Sequence, residues 1–450
     1  MTFHRLPAQI WKHRVTVLLV ALAITLLLML LATHSLQRNR STNLVADSWW
    51  RKPAPKVHNE HGASHAITPA ASKAREGHTP RLPSPSIRQG RPAGRKRRGL
   101  PPIVFLKTHK TGSSTVQNLL FRLGERESAT FAFPRYTYQF GYPERFRAEF
   151  VEELPAGSSQ FDVLCSQLRL DVGQLRRLMP RNAVYVTLLR DPVRTFESVF
   201  GCYASNVPAF FLAQKAARGG APSEGKSALS VFLEAPETFW DPSEAGNCLA
   251  RNPMSFDLGL DSREWSDSWP ESLARLEEAF QLVMIAEHFD ESLVLLKELL
   301  RLQPEDLAYV RLNTRAAGDV APLDEETSAR IRAWNSLDVL LYDFFLQVFW
   351  ERAERFGLER LQREAAHLRD VAERVRRRCL AREGVAPREL GDLIRPLQSN
   401  TATILGYELW GNLTEEEQGI CVRLVLPELQ YHSYLYFQQY GHDMRAVPTD

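Results

Sequence analysis

Cysteine is scarce in this sequence, and its scarcity limits how the chain can be stabilised. The 450 residues include 5 cysteines, and the odd number leaves at least one thiol unpaired. This content is too low for a small domain held together by several disulfides. We expect Cys165, which follows the apolar segment 161–164, to be a buried free thiol.

Three signatures of metal and nucleotide sites are also missing. No spacing of cysteine and histidine matches a zinc site, so we predict no metal. No Asp-x-Asp triplet occurs, so a metal-dependent glycosyltransferase would lack the usual ligands for its sugar nucleotide. The Walker A pattern G-x-x-x-x-G-K-[ST] is absent as well, which argues against an ATP-dependent phosphotransferase.

Excess positive charge is confined to the N-terminal part of the chain. Residues 1–99 contain 17 Lys+Arg and 3 Asp+Glu, a balance of +14, and the remainder contains 39 and 50, a balance of −11. A nucleic-acid-binding domain would need a basic face on its folded body. We therefore predict no nucleic-acid partner, and we expect any anionic ligand to be held by local basic groups.

A long apolar run lies close to the N-terminus. Val15 to Thr33 is a stretch of 19 residues without a charge, long enough to span a bilayer and longer than the apolar part of a cleaved signal peptide. We predict an uncleaved signal anchor at 15–33 behind a cytoplasmic tail at 1–14. Basic residues flank the run on both sides, so charge leaves its orientation open. The long C-terminal part and a glycosylation sequon at Asn412 favour a single-pass type II protein with a luminal C-terminal domain.

Residues 34–99 are rich in Pro, Ser, Ala, Arg and Lys and have little apolar periodicity, so we predict a disordered basic stem. The stem ends in the basic tetrapeptide 95–98, which fits the R-x-[KR]-R pattern of secretory-pathway convertases. Cleavage after Arg98 would release a soluble luminal domain. A merely solvated basic stretch is the alternative interpretation.

The polar loop 107–115 is the most informative segment of the chain. Residues 103–106 are predicted to end a buried strand, and residues 113–126 are predicted to form a helix with one apolar stripe. A strand, a short basic loop and a helix N-terminus form an anion-binding site, because free backbone N–H groups and the helix dipole both face the loop. The sequence therefore predicts a phosphate or phosphosulfate site here.

A second strand-to-helix segment supports this interpretation. Residues 183–189 form an apolar, β-branched run typical of a strand buried on both faces. Pro192 suits the first turn of the helix that follows, and Arg190 and Ser198 are expected within reach of one anion. From residue 100 onward, short apolar strands alternate with helices. We therefore predict an α/β fold with a mainly parallel sheet flanked by helices.

The two loops, in this order, resemble the donor-binding elements of sulfotransferases that use 3′-phosphoadenosine 5′-phosphosulfate. Segments 105–111, 131–134, 285–296 and 427–431 closely match the galactose 3-O-sulfotransferases. The resemblance implies a P-loop-NTPase-like sulfotransferase fold in a Golgi membrane enzyme. It also implies transfer of sulfate to the 3-hydroxyl of galactose on a glycolipid or glycoprotein. On this basis we expect a catalytic domain at 100–380 and a C-terminal extension at 381–450 packed on it.

The resemblance assigns two sets of donor-binding residues. Arg190 and Ser198 would hold the 3′-phosphate. The 5′-phosphosulfate would be held by the loop residues Lys107, Thr108, Lys110, Thr111, Gly112, Ser113, Ser114 and Thr115. We expect Lys110 to stabilise the leaving phosphate with help from Lys107. The resemblance also implies a disulfide between Cys379 and Cys421.

His109 is our candidate for the general base on the sugar hydroxyl. It lies between two lysines whose charges favour the neutral imidazole that a base requires. The alternative is a histidine that only braces the loop through hydrogen bonds. Glu287 and His288, at the end of another predicted strand, are a reserve base pair for which a capping role is the simpler interpretation.

The sequence departs from the family pattern in the expected acceptor site. Gln167 stands where the family generally has histidine, and glutamine cannot accept a proton. Gln167, Arg169 and His288 are the predicted acceptor-binding residues. Because of this departure, the alternative interpretation is a non-catalytic relative that binds the donor without transferring sulfate.

Overall fold

A four-stranded parallel sheet forms the centre of the protein. The computed structural model describes residues 100–219 and 226–445. The sheet has the order β2-β1-β3-β4. Its strands are β1 (Ile103–Leu106), β2 (Val163–Leu164), β3 (Val184–Leu189) and β4 (Leu282–Ile285).

The strands are apolar because the sheet is covered on both faces. All side chains of β1 and β4 are buried, which explains why these strands are continuous apolar runs rather than alternating ones. β1 pairs with β3 in register from Ile103–Val184 to Leu106–Thr187. These observations confirm the predicted parallel sheet flanked by helices.

Helices cover the sheet and continue to the C-terminal end of the described chain. They are α1 (Ser113–Glu127), α2 (Val172–Leu178), α3 (Pro192–Tyr203), α4 (Pro208–Gly219), α5 (Ala228–Glu234), α6 (Pro253–Asp257), α7 (Trp269–Ala279), α8 (Phe289–Leu300), α9 (Glu325–Trp334), α10 (Ser336–Phe356), α11 (Leu358–Cys379), α12 (Glu415–Val425) and α13 (Glu428–Tyr440). The main core lies between the sheet and α1, α7, α8, α10 and α13, and a second apolar cluster joins α3, α4 and α5.

The strand order decides where a site can form. β2 lies on one side of β1 and β3 lies on the other, so the connections that leave β1 and β3 diverge. In open α/β sheets such a switch point leaves a crevice at the carboxyl ends of the strands. The loop 107–112 follows β1 and Arg190 follows β3, so both predicted anion-binding segments lie at this crevice.

The C-terminal segment belongs to the same compact unit as the sheet. It contains an antiparallel hairpin of β5 (Leu380–Val385) and β6 (Gly406–Leu409), followed by α12 and α13. A disulfide joins Cys379 to Cys421 and ties the end of α11 to α12, the pairing that the family resemblance implies.

The membrane-related predictions lie outside the described residues. These are the tail at 1–14, the anchor at 15–33, the stem and the cleavage motif ending at Arg98. Among the residues that are described, no helix combines the length and apolar character needed to cross a membrane. Asn412, the predicted glycosylation residue, is exposed in the turn before α12.

Candidate active site

Two adjoining cavities open at the carboxyl ends of the strands. The large cavity, about 540 Å³, is lined by residues 107–115, by Arg190 and Ser198 and by residues 311–315. The small cavity, about 260 Å³, is lined by residues of the segments 137–142, 397–400 and 427–430. Both cavities share Lys107, His109, Lys110, Gln167, Tyr203, Asn313 and Glu428. These shared residues mark the place where two ligands can meet.

The loop after β1 is shaped by two left-handed backbone conformations. Gly112, the N-cap of α1, has φ 90°, where a side chain would be strained, and Lys110 has φ 58°. The Ser113 hydroxyl closes the loop by donating to the carbonyl of Thr108 at 2.7 Å. No described residue accepts a hydrogen bond from the backbone N–H groups of residues 111–113. These N–H groups at a helix N-terminus are suited to an anion.

Several loop hydroxyls have protein partners. Thr108 donates to the carbonyl of Leu188 in β3. Ser114 donates to Glu428 Oε2 at 3.1 Å, and Thr115 Oγ1 accepts from the backbone N–H of Leu312 at 3.2 Å. These bonds fix the loop against β3, α13 and residues 311–315. The expected contacts of the loop residues with a 5′-phosphate stay predictions.

Basic side chains around the large cavity fall into two groups. Lys107 pairs with Glu428, with 3.0 Å between Nζ and Oε1. Lys110, Arg194 and Arg311 also line this cavity, and none of them forms an ion pair with another described residue. Because their charge is not neutralised locally, the large cavity is electropositive although the folded body is acidic overall.

Arg190 and Ser198 line the same cavity, and their binding of a 3′-phosphate stays a prediction. The Arg190 guanidinium donates to the carbonyl of Lys110 at 3.0 Å, and burial lowers its pKa. Ser198 is only 4% exposed, and its hydroxyl has no hydrogen-bond partner among the described residues. A buried hydroxyl that lines the same cavity as an arginine is suited to hydrogen-bonding an anion.

The segment 311–315 is held in place by a buried ion pair. Arg315 is paired with Glu197 of α3, and their side chains are 8% and 3% exposed. Gly201 makes room for this pair, because a Cβ there would lie 2.4 Å from an Arg315 guanidinium nitrogen. Arg315 therefore fixes the position of the cavity wall, and its charge is neutralised by Glu197.

His109 lies at the junction of the cavities and has an acidic partner that sequence reasoning missed. Its Nδ1 is 3.0 Å from both carboxylate oxygens of Asp257, and its backbone N–H donates to the same carboxylate at 2.7 Å. The Tyr142 hydroxyl also donates to Asp257, at 2.9 Å. Asp257 lies in no recognisable motif and is 148 residues from His109, so no local signal points to it.

Gln167 is buried beside His109. Its Nε2 donates to the carbonyl of Lys107 at 2.6 Å and lies 3.2 Å from His109 Nδ1. Gln167 lines both cavities, so it is placed at the junction where the predicted acceptor site would meet the donor.

Two predicted acceptor-binding residues lie elsewhere. The guanidinium of Arg169 stacks over the ring of Phe256 at 3.9 Å, and His288 packs against Phe349 and Trp350 of α10. Neither residue lines the large or the small cavity. Both residues pack against aromatic rings, and their assignment to the acceptor site stays a prediction. Glu287 lines the large cavity and accepts from Asp191 N–H and from the Tyr342 hydroxyl, as a capping role would require.

The described residues that line the small cavity alone carry no charge. They contribute hydroxyl, amide and aromatic groups, from Thr137, Tyr138, Gln139, Tyr142, Asn206, Gln398, Ser399, Asn400 and Gln430. Such groups suit a neutral, polyhydroxylated ligand. Within residues 100–219 and 226–445, no three or more His, Cys, Asp or Glu side chains are grouped to hold a metal ion.

Comparison with known proteins gives consistent matches. A galactose-3-O-sulfotransferase family model matches residues 11–439. Galactose-3-O-sulfotransferase 3 of Bos taurus is 41% identical over 348 residues, which cover 75% of this chain and 78% of the relative. Galactosylceramide sulfotransferase of Homo sapiens is 39% identical over 73% of this chain and 76% of its own length. Galactose-3-O-sulfotransferase 2 of Sus scrofa is 40% identical over 75% of this chain and 84% of its own length.

Proposed function

Because this chain belongs to the galactose-3-O-sulfotransferase family and is a sulfotransferase, we propose the following reaction for it. It transfers a sulfuryl group from 3′-phosphoadenosine 5′-phosphosulfate to the 3-hydroxyl of a galactose residue on a glycolipid or glycoprotein glycan. The observation that carries this proposal is that an electropositive cavity meets a second cavity, whose own walls are uncharged, at Lys107, His109 and Lys110.

The large cavity fits the donor. The donor carries negative charge at both ends, on the 5′-phosphosulfate and on the 3′-phosphate. The free N–H groups of residues 111–113 and the unpaired Lys110 would hold the first, and Arg190 with Ser198 would hold the second. No carboxylate of the described residues pairs with Lys110, so its charge is available to the leaving phosphate as the sulfur–oxygen bond breaks.

The small cavity fits the acceptor sugar. Its amide and hydroxyl groups can hydrogen-bond several hydroxyls, and its tyrosines can lie against the ring faces. His109 would accept the proton of the attacking 3-hydroxyl, because it is the imidazole shared by both cavities. The protein's main contribution is then alignment of donor and acceptor together with charge stabilisation.

The reaction can be tested directly on the full-length protein in detergent. We expect ³⁵S from the labelled donor to appear at the 3-position of terminal galactose, and we expect this transfer to be lost in His109→Ala. The matched control is His367→Ala, which changes an exposed histidine on α11. Binding of 3′-phosphoadenosine 5′-phosphate without transfer to any galactose acceptor would instead indicate a non-catalytic relative. Transfer of phosphate from ATP would indicate a phosphotransferase.

The cellular location proposed for this enzyme is the Golgi membrane, in type II orientation. The apolar run 15–33 supports the anchor, and the exposed sequon at Asn412 supports a luminal catalytic domain. In intact microsomes the C-terminal domain should resist protease, and Asn412→Gln should remove a glycosidase-sensitive shift in gel mobility. A domain that is digested in sealed vesicles would refute this topology. A soluble form beginning at Gly99 would show cleavage after Arg98.

A further inference from the structure

The carboxylate of Asp257 is enclosed by hydrogen-bond donors. Its side chain is fully buried, and it accepts from the His109 backbone N–H, from the Tyr142 hydroxyl and from the His109 ring. It forms no ion pair with Lys or Arg among the described residues. The charge of this buried carboxylate is compensated by hydrogen bonds and not by a permanent cation. The carboxylate can therefore stabilise the positive charge that forms when its neighbour takes up a proton.

This arrangement selects one form of the imidazole. An ionised carboxylate only accepts hydrogen bonds, so the ring proton lies on Nδ1 and the lone pair lies on Nε2. Nε2 has no hydrogen-bond partner among the described residues, and the residue lines both cavities. The Gln167 Nε2 also lies 3.2 Å from Nδ1, but an amide nitrogen only donates, so the Nδ1 proton can be accepted by the Asp257 oxygens at 3.0 Å and not by Gln167 Nε2.

Asp257 is itself held rigidly. It ends the short helix α6, whose first turn is fixed by Asp338 of α10 through bonds to the backbone N–H groups of Met254 and Ser255 and to the Ser255 hydroxyl. Its carbonyl accepts from the N–H of Leu170 at 2.8 Å. Two separate parts of the fold therefore fix the carboxylate that faces His109.

We propose that Asp257 is a positioning residue that holds the His109 imidazole with Nε2 ready to accept a proton and stabilises the imidazolium that results. The proposal rests on the proposed function. The acceptor 3-oxygen forms a bond to sulfur and its proton moves to Nε2. The bond from sulfur to the bridging oxygen breaks, and that electron pair stays on the leaving phosphate next to Lys110. Asp257 keeps its charge throughout and gains a cationic neighbour.

The test is Asp257→Asn. The asparagine has almost the same shape, but its amide can present N–H to Nδ1 and so stabilise the wrong tautomer. We expect kcat to fall by about 100-fold or more, with unchanged affinity for 3′-phosphoadenosine 5′-phosphate and unchanged KM for the acceptor. Asp257→Glu keeps the carboxylate and should recover part of the lost kcat. The matched control is Asp261→Asn, which changes an exposed carboxylate whose hydrogen-bond donor in the described part of the chain is the Arg263 N–H.

The outcomes separate this proposal from the proposed function. Near-normal kcat in Asp257→Asn, or a lower kcat in Asp257→Glu than in Asp257→Asn, would overturn the role of the carboxylate. Full activity in His109→Ala would refute the assignment of the base instead. If thermal melting shows that Asp257→Asn does not fold, Tyr142→Phe serves as the second variant. It removes one donor to Asp257, and a kcat equal to that of the unmodified enzyme would then contradict the proposal.

Discussion

At the scale of single residues, pairing decides which basic groups are available to an anion. Lys107 and Lys110 are three positions apart in one loop, yet Lys107 faces Glu428 and Lys110 faces no described carboxylate. Arg315 is neutralised by Glu197, whereas Arg311 in the same segment has no ion-pair partner in the described parts of the chain. Partly buried ion pairs of this kind fix the positions of the segments that they join. Cations at a cavity wall that have no ion-pair partner remain available to an anionic ligand.

The role of Arg190 gives a prediction at this scale. In Arg190→Ala the affinity for 3′-phosphoadenosine 5′-phosphate should fall by about 10- to 100-fold, because a hydrogen bond to a charged group is worth about 1.5–3 kcal/mol. Affinity for adenosine 5′-phosphate, which lacks the 3′-phosphate, should change little. Isothermal titration calorimetry measures both values.

Arg181→Ala is the matched control for this experiment. Arg181 is exposed and precedes β3, whereas Arg190 follows it, so the control changes the opposite end of the same strand. Equal losses for both nucleotides in Arg190→Ala would show that Arg190 does not recognise the 3′-phosphate.

At the scale of elements, the helix that carries Asp257 depends on a buried carboxylate of another helix. Asp338 of α10 is 1% exposed, and burial raises its pKa to about 7. In α13, burial lowers the pKa of His432 to about 3, and neither ring nitrogen has a partner among the described residues. Burial of Asp338 therefore lowers the free energy of unfolding as pH rises, whereas burial of His432 lowers it as pH falls.

The effect of Asp338 can be isolated by comparison with Asp338→Asn. In the unfolded chain this carboxyl ionises near pH 4, whereas in the folded protein it keeps its proton until about pH 7. The free energy of unfolding should therefore decrease, relative to the variant, as pH rises through this window. Across the whole window, the decrease in the free energy of unfolding relative to the variant is about 4 kcal/mol. Urea unfolding at several pH values measures it.

The contribution of His432 cancels when the free energy of unfolding of Asp338→Asn is subtracted from that of the unmodified protein, because His432 destabilises both equally as pH falls below about 6.5. Parallel stability curves for the two proteins would contradict the prediction, since they would mean that Asp338 is ionised in the folded state at all these pH values.

At the scale of the whole molecule, the C-terminal segment is part of the site. Glu428 of α13 pairs with Lys107, and residues 427–430 line the small cavity. Arg423 of α12 and Tyr431 of α13 both bind Glu125 of α1, the helix whose N-terminus borders the large cavity. Removal of this segment would therefore remove a wall of the site together with structural support for α1.

The Cys379–Cys421 disulfide gives a prediction at this scale. The two cysteines are 42 residues apart, and opening a loop of that length should lower the free energy of unfolding by about 4 kcal/mol. Cys379→Ser, Cys421→Ser and the double variant should lose similar amounts, because each leaves the same open loop. Denaturant unfolding with and without a reducing agent checks this. Unchanged stability of the native protein after full reduction would refute it.

Local sequence pattern determined the strand–loop–helix units around residues 107 and 190, because apolar periodicity, a glycine N-cap and a proline in the first turn act within a few residues. It also predicted an anion-binding site in these units, since helix N-termini and clustered basic residues favour negative charge. The tertiary structure alone decided that Asp257 faces His109, that Glu428 neutralises Lys107, and that Arg169 and His288 pack against aromatic rings. These contacts join residues far apart in the chain, so they depend on the path of the backbone and on side-chain packing.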